Sequence, residues 1–228
     1  MKKLSTPLLS ICFLLMIPAT FSCSSSKLGR YILTEQDAAT AIRQMLELGA
    51  RNGATSFTGD AVMTAIFPEQ LRKTLATLQQ LGLTSEIDRF TNTLATASEK
   101  TAERSIPIFV NAISEMKFSD AIQIIKNGGT SATDYLRRTT GSQLREAIRP
   151  VMKTALDEYK LTEQWDKITK PVQSSLGDRV NLDLANLAAG MVSEAMFKKI
   201  EEKEAQVRAD AAARTTPLLQ KVFSKNWN

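Results

Sequence analysis

The chain contains no histidine. That absence removes Ser-His-Asp and Cys-His nucleophiles, histidine-bound transition metals and histidine general-base catalysis in one step. Cysteine is nearly as scarce, with Cys12 and Cys23 the two in 228 residues. Cys12 is expected to leave with an amino-terminal leader and Cys23 to carry lipid, so no thiol remains for a disulfide, a catalytic nucleophile or a zinc site. Aromatic residues make up 6% of the chain, and no Walker loop, nucleophile elbow, EF-hand loop or zinc motif occurs. An enzyme drawn from this repertoire would depend on carboxylates, lysine, tyrosine or an oxygen-ligated hard metal. No cofactor and no metal is expected.

What is present starts with Lys2 and Lys3, an apolar run from Leu8 to Ile17, and then Ala19, Thr20, Phe21, Ser22 and Cys23. This charged, apolar, small-residue order is that of a secretory signal, and the run is too short to span a bilayer as a stable helix. Cys23 stands where a bacterial lipoprotein carries its acylated cysteine, with Ser22 before it and Ser24, Ser25 and Ser26 after it. Thr20 and Phe21 depart from the usual lipobox and resemble the looser form of some Gram-negative groups. The expectation is cleavage after residue 22, lipid on Cys23, a flexible tether over 23–33 and a helical domain over 34–228. No acidic residue follows Cys23 directly, which by resemblance to known sorting patterns favours the outer membrane, facing the periplasm. With Lys2 and Lys3 removed, 27 basic residues face 24 acidic ones. So mild a balance, with few aromatics, argues against a nucleic-acid partner.

Beyond the tether the apolar residues recur at helical spacing, with no period-2 alternation and no fixed repeat, so the fold class is all-α with roughly eight to ten helices in one domain. Thr34 and Asp37 form a T-x-x-D cap that predicts a helix over 35–51. Pro68 starts another with Leu71, Leu75, Leu78 and Leu81 as its stripe, ended by Gly82. Ser85 caps a third, to about Glu103, and Pro107 opens a new one. Gly141 and Ser142 read as punctuation between two helices, and Pro150 as a kink. Trp165 sits in a weaker stretch interrupted at Pro171. Asp183 or Asn181 caps the last long helix, which past Lys198 turns charged and is expected to run through solvent. Arg214, Thr215, Thr216 and Pro217 then start a short apolar helix that docks back onto the body.

The organising stretch is Asn127 to Thr140, which holds the only Gly-Gly pair. Gly128 and Gly129 end one helix in the left-handed region, and Thr130 or Ser131 caps the next. A helix start exposes free N–H groups, so Gly128, Gly129, Thr130 and Ser131 form a candidate anion-binding corner, closed by Arg137, Arg138 and Arg214. The alternative is a structural corner in which one arginine pairs with an internal carboxylate such as Asp134 or Asp210 and secures the tail. The paired carboxylates Glu99 with Glu103, and Glu201, Glu202 and Glu204, lie among lysines and arginines and read as solvated faces.

Five ordered segments, LTEQDAATAIRQMLELG from Leu33, PEQL from Pro68, PIFVNAISEM from Pro107, the central NGGTSATDYLRRTT and DAAARTTPLLQKVF from Asp210, resemble the bacterial envelope family of domain of unknown function 4197. Ala211 stands where that family often has proline. The resemblance implies a helical, exported, often lipid-anchored protein and no known activity. The functional expectation is therefore a non-catalytic binding or assembly protein of the envelope. It would be held to the membrane through Cys23 and touch an envelope protein through a surface such as 198–208. The alternatives are a carrier of a lipid or other apolar or anionic small ligand, with Met152, Met191 and Met196 as an adaptable wall, and less so a carboxylate-based enzyme.

Overall fold

Thr34 opens the first helix as its spacing predicts: the hydroxyl accepts a hydrogen bond from the Asp37 N–H at 3.1 Å, and α1 runs Glu35–Arg51. The structure, a computed structural model, describes residues 32–53, 57–170, 182–225 and 227. The leader, Cys23, most of the tether, Pro171 and Asn181 lie outside the described residues. After α1 come α2 (Gly59–Ile66), α3 (Glu69–Leu78), a π turn (Gln79–Leu83), α4 (Thr84–Glu115), α5 (Ala121–Asn127), α6 (Ser131–Glu158), α7 (Leu161–Thr169), α8 (Leu184–Ala209), a 3-10 turn (Ala211–Ala213) and α9 (Pro217–Phe223). Among the described residues there is no strand. The all-α class stands, and residues Leu33–Asn228 make one compact unit.

Four long helices carry the core. α8 packs against both α1 and α6, and α4 lies on α6 and α1. Gly49 of α1 is where two helices come closest: a Cβ placed there would lie 2.7 Å from the Ile200 Cα of α8. Phe109 of α4 meets Phe197 of α8 edge-on at 5.3 Å between centroids. A second cluster joins Phe67, Phe90 and Trp165, with Phe67 and Trp165 stacked at 5.3 Å. Met152 and Met196 are buried in this packing, while Met191 is half-buried. Burial of so many Leu, Ile, Val and Phe side chains, each contributing about 1.5–3 kcal/mol, is the main force holding the helices together.

Several expected boundaries move. Leu81 does not continue the α3 stripe: it is 75% exposed on the π turn, where Gly82 takes φ 104° and swings the chain round. Ser85 does not cap α4, which starts at Thr84 without a side-chain cap; its hydroxyl donates to Glu86 instead. Pro107 does not open a new helix but sits inside the 32-residue α4, with its ring exposed. A helix tolerates proline there when packing on both sides outweighs one lost hydrogen bond. Ile113 and Phe109 beyond it, and Ala102 and Thr101 before it, are all buried. The buried hydroxyls of Ser98, Thr101 and Ser105 donate to the carbonyls of Leu94, Ala97 and Thr101, so α4 needs no outside partner for them.

Gly141 likewise fails to break α6, a 28-residue helix that runs through it and through Pro150. Past Lys198, α8 does not leave the core: Ile200, Glu204 and Val207 are buried. Asp183 caps that helix, accepting from Asn186 N at 3.0 Å. The tail docks as its pattern implies. Thr216 accepts from Leu219 N and donates to Gln44 of α1 at 2.8 Å, burying Leu219, Val222 and Phe223.

Candidate functional site

The corner between α5 and α6 is built from both sides. Asp120 caps α5 by accepting from Gln123 N at 3.3 Å, and Glu35 of α1 accepts from Ala121 N at 2.9 Å. Gly128 (φ 69°, ψ −160°) and Gly129 (φ 55°) then turn the chain. A Cβ at either position would meet nothing within 4 Å, so these glycines answer a backbone demand and not a lack of space. The Gly128 conformation is one that essentially only glycine holds, and Gly128→Ala should lower stability by about 1–3 kcal/mol, read by chemical denaturation.

Neither expected hydroxyl caps α6. Thr130 Oγ1 donates to Asp134 at 3.0 Å, and Ser131 Oγ donates to the Ile124 carbonyl at 2.7 Å. The free amides at the helix start do hold an anion, and it is the protein's own. Ala132 N and Thr133 N donate to the two oxygens of Glu204 at 3.1 and 2.8 Å, and the Thr133 hydroxyl adds a bond of 2.6 Å. Glu204 is fully buried. Arg208, one turn further along α8, completes the arrangement with Nε and Nη2 on Glu204 Oε1 at 3.0 and 2.9 Å. The same guanidinium donates to the carbonyls of Ile125 and Ile124 at the end of α5, the latter shared with Ser131 Oγ. One Glu-Arg pair therefore joins the end of α5, the start of α6 and the last two turns of α8. The helix dipole of α6 favours the carboxylate at that place.

The three expected arginines lie elsewhere. Arg137 reaches across to α8, pairing with Glu201 at 2.7 Å, Glu194 at 3.4 Å and its own Asp134 at 3.3 Å, over the Phe197 ring. Arg138 is exposed, its guanidinium 5.6 Å from the Tyr135 ring. Arg214 donates to the Val207 and Arg208 carbonyls, both at 2.9 Å, and so closes the last turn of α8. Gly128 and Gly129 do line a recess, together with Lys126, Arg208, Lys225 and Trp227, but Arg137, Arg138 and Arg214 are not among its walls. Arg214→Ala should loosen the tail and cost about 2 kcal/mol of stability, seen as a lower Tm.

Apart from Glu204, which is buried, the paired carboxylates are engaged by neighbouring groups nearer the surface. Glu99 accepts from Phe57 N at 3.0 Å, and Glu103 lies 3.0 Å from Lys100, whose pKa it raises through that hydrogen bond. Glu202 pairs with Lys199. No group of acidic side chains able to hold a metal ion occurs among the described residues.

The family model described as protein of unknown function (DUF4197) matches residues 32–224. The chain belongs to the DUF4197 family. No curated protein and no solved structure matches it. The matched span of this DUF4197 chain starts just before the Thr34 cap of α1 and ends just after Phe223 of α9. The whole helical unit, corner and docked tail included, is therefore the family's domain. Glu204 and Arg208 were the residues least visible beforehand. Their signal is the spacing Ile200, Glu204, Val207 and Arg208, which at helical period puts both charges on the buried face.

Proposed function

We propose that the chain is an exported bacterial lipoprotein, anchored to the outer membrane through Cys23 and facing the periplasm, that works as a non-catalytic binding or assembly protein of the envelope. The observation that carries the non-catalytic part is the saturation of Glu204. It is the one carboxylate buried among the described residues, and each of its acceptor sites is taken by Ala132 N, Thr133 N, Thr133 Oγ1 or the Arg208 fork. A general base needs a free lone pair beside its substrate, and a carboxylate has about four to give. Anchoring is supported by the leader that directly precedes Cys23. No helix of the described residues is long and apolar enough to cross a membrane.

A second reading, carriage of a lipid or other small ligand, draws on one feature. A half-open recess of about 650 Å³ lies between α6, α7 and the start of α8, where Leu156, Trp165 and Leu184 meet Arg149, Lys153 and Asp166. That volume suits a small ligand. The test is a native mass spectrum of the anchored chain beside a denatured one, with membrane fractionation of wild type and Cys23→Ala. The proposal expects wild type in the outer membrane, Cys23→Ala in the soluble periplasm, and a stoichiometric protein partner by crosslinking. A small-molecule mass lost on denaturation would favour carriage. Turnover abolished by a single carboxylate substitution would overturn the non-catalytic reading.

A further inference from the structure

Beside the Glu204 seat, and separate from it, is a recess of about 250 Å³ whose walls include Lys126, Gly128, Gly129, Arg208, Lys225 and Trp227. We propose that this recess binds a phosphate group, as a phosphomonoester or phosphodiester, which deepens the binding-protein reading and rests on it.

The charged side chains in its walls, Lys126, Arg208 and Lys225, are all cationic. Lys126, at the end of α5, is exposed and makes no ion pair or hydrogen bond among the described residues. The Gly129 N–H meets no protein acceptor among them. Arg208 spends Nε and Nη2 on Glu204, Ile124 O and Ser131, and its Nη1 gives one bond, to Ile125 O at 3.0 Å. One Nη1 hydrogen is left over. Lys225 brings a third cation, 5.6 Å from the centre of the Trp227 ring. No acidic residue is among the described walls.

The way these donors are divided selects the anion. A carboxylate is planar and is matched best by the two parallel N–H groups of an arginine fork. The fork of Arg208 is already committed to Glu204. What remains is the Gly129 N–H, one Arg208 N–H and the Lys126 ammonium, coming from the Gly-Gly corner, α8 and the end of α5. Separate donors arriving from several directions fit the spread oxygens of a tetrahedral phosphate. The positive φ of Gly128 and Gly129, with open space where a side chain would stand, leaves the backbone uncovered on that side.

Trp227 makes the recess observable, because the only other tryptophan, Trp165, is buried against Phe67 and Phe90 and can be replaced by phenylalanine. The full chain carrying Trp165→Phe, purified from membranes in a maltoside detergent, is titrated with inorganic phosphate, with glycerol 3-phosphate and with dihexanoyl phosphatidylglycerol. The expected result is a saturable change in Trp227 fluorescence. A response to the two soluble phosphates assigns a free phosphorylated ligand, and a response to the lipid alone assigns a headgroup. Lys126→Glu should weaken binding by about tenfold or more. Lys73→Glu makes the same charge change at an exposed position of α3 away from the recess and should leave binding unchanged. No saturable response to any of the three probes, or equal weakening by both substitutions, overturns the proposal. A crosslinked protein partner with all three probes silent would remove this site and leave the binding-protein reading standing.

Discussion

Replacing Glu204 with alanine should cost about 3–5 kcal/mol of folding stability, the amount typical of breaking a buried ion pair from one side. The loss has three sources. Arg208, itself mostly buried, would keep its charge without a counter-charge beside it. The Ala132 and Thr133 amides would lose the acceptor that completes the α6 start, and buried donors without partners cost about 1–3 kcal/mol each. A void would also open between α6 and α8, the most extensively packed pair in the fold. Glu204→Gln keeps the shape and one acceptor oxygen but turns an amide NH2 toward groups that are donors, so it should cost less than alanine and still about 2 kcal/mol. Thr133→Val removes one bond of the set and should cost about 1 kcal/mol. Urea denaturation of the four proteins should give the order alanine, glutamine, valine, wild type, from least to most stable.

Gly49→Ala should destabilise the protein by about 2 kcal/mol, although the same change in an exposed helix interior would stabilise it by about 1 kcal/mol. The added Cβ would stand 2.7 Å from the Ile200 Cα and 3.2 Å from its Cβ. The nearer of these is backbone in the middle of α8, not the movable end of a side chain. α1 and α8 would have to separate, and Met45, Leu46 and Val207 would lose contact along with them. Gly141→Ala is the control. Its Cβ would come no closer than 3.8 Å to Arg137 Cγ, an ordinary contact. It should raise stability by about 0.5–1 kcal/mol, because a helical glycine loses more backbone entropy on folding than alanine does. Thermal melts should therefore move in opposite directions for the two substitutions.

These two cases also mark what the sequence could and could not disclose. Thr34, Asp183 and Thr216 act as caps because capping is a local transaction, completed within three residues and readable from residue type and spacing. The all-α class and the docked tail were equally readable, since each follows from apolar periodicity. Pro107 and Gly141 misled because a breaker imposes a cost of only about 1–3 kcal/mol, and long helices packed on two sides absorb it. Nothing local distinguishes that outcome from a true boundary.

The corner was half legible. Its turn, its left-handed glycines and its affinity for an anion all follow from Asn127 to Ser131. The identity of the anion does not, because Glu204 comes from more than seventy residues away in a stretch whose composition, KKIEEKEAQVR, reads as solvated. Arg137, Arg138 and Arg214 were natural candidates by proximity in sequence, yet helix geometry sends Arg137 across to α8 and Arg214 back to the end of that helix. Arg208 fills the position expected for them. A charged residue on the buried face of a helix has to be paired, and the i, i+4 spacing of Glu204 and Arg208 was the one available hint of that pairing.

The central claim is that Glu204 is a structural anion held by α6 and Arg208, not a group kept free for chemistry. A double-mutant cycle on folding stability tests it directly, using Glu204→Met, Arg208→Met and the double substitution. If the pair is joined as described, each single change costs about 3 kcal/mol or more and the double costs less than their sum by about 2 kcal/mol. Additive effects, or a Glu204→Met protein as stable as wild type, would contradict the account and return Glu204 to the residues available for catalysis.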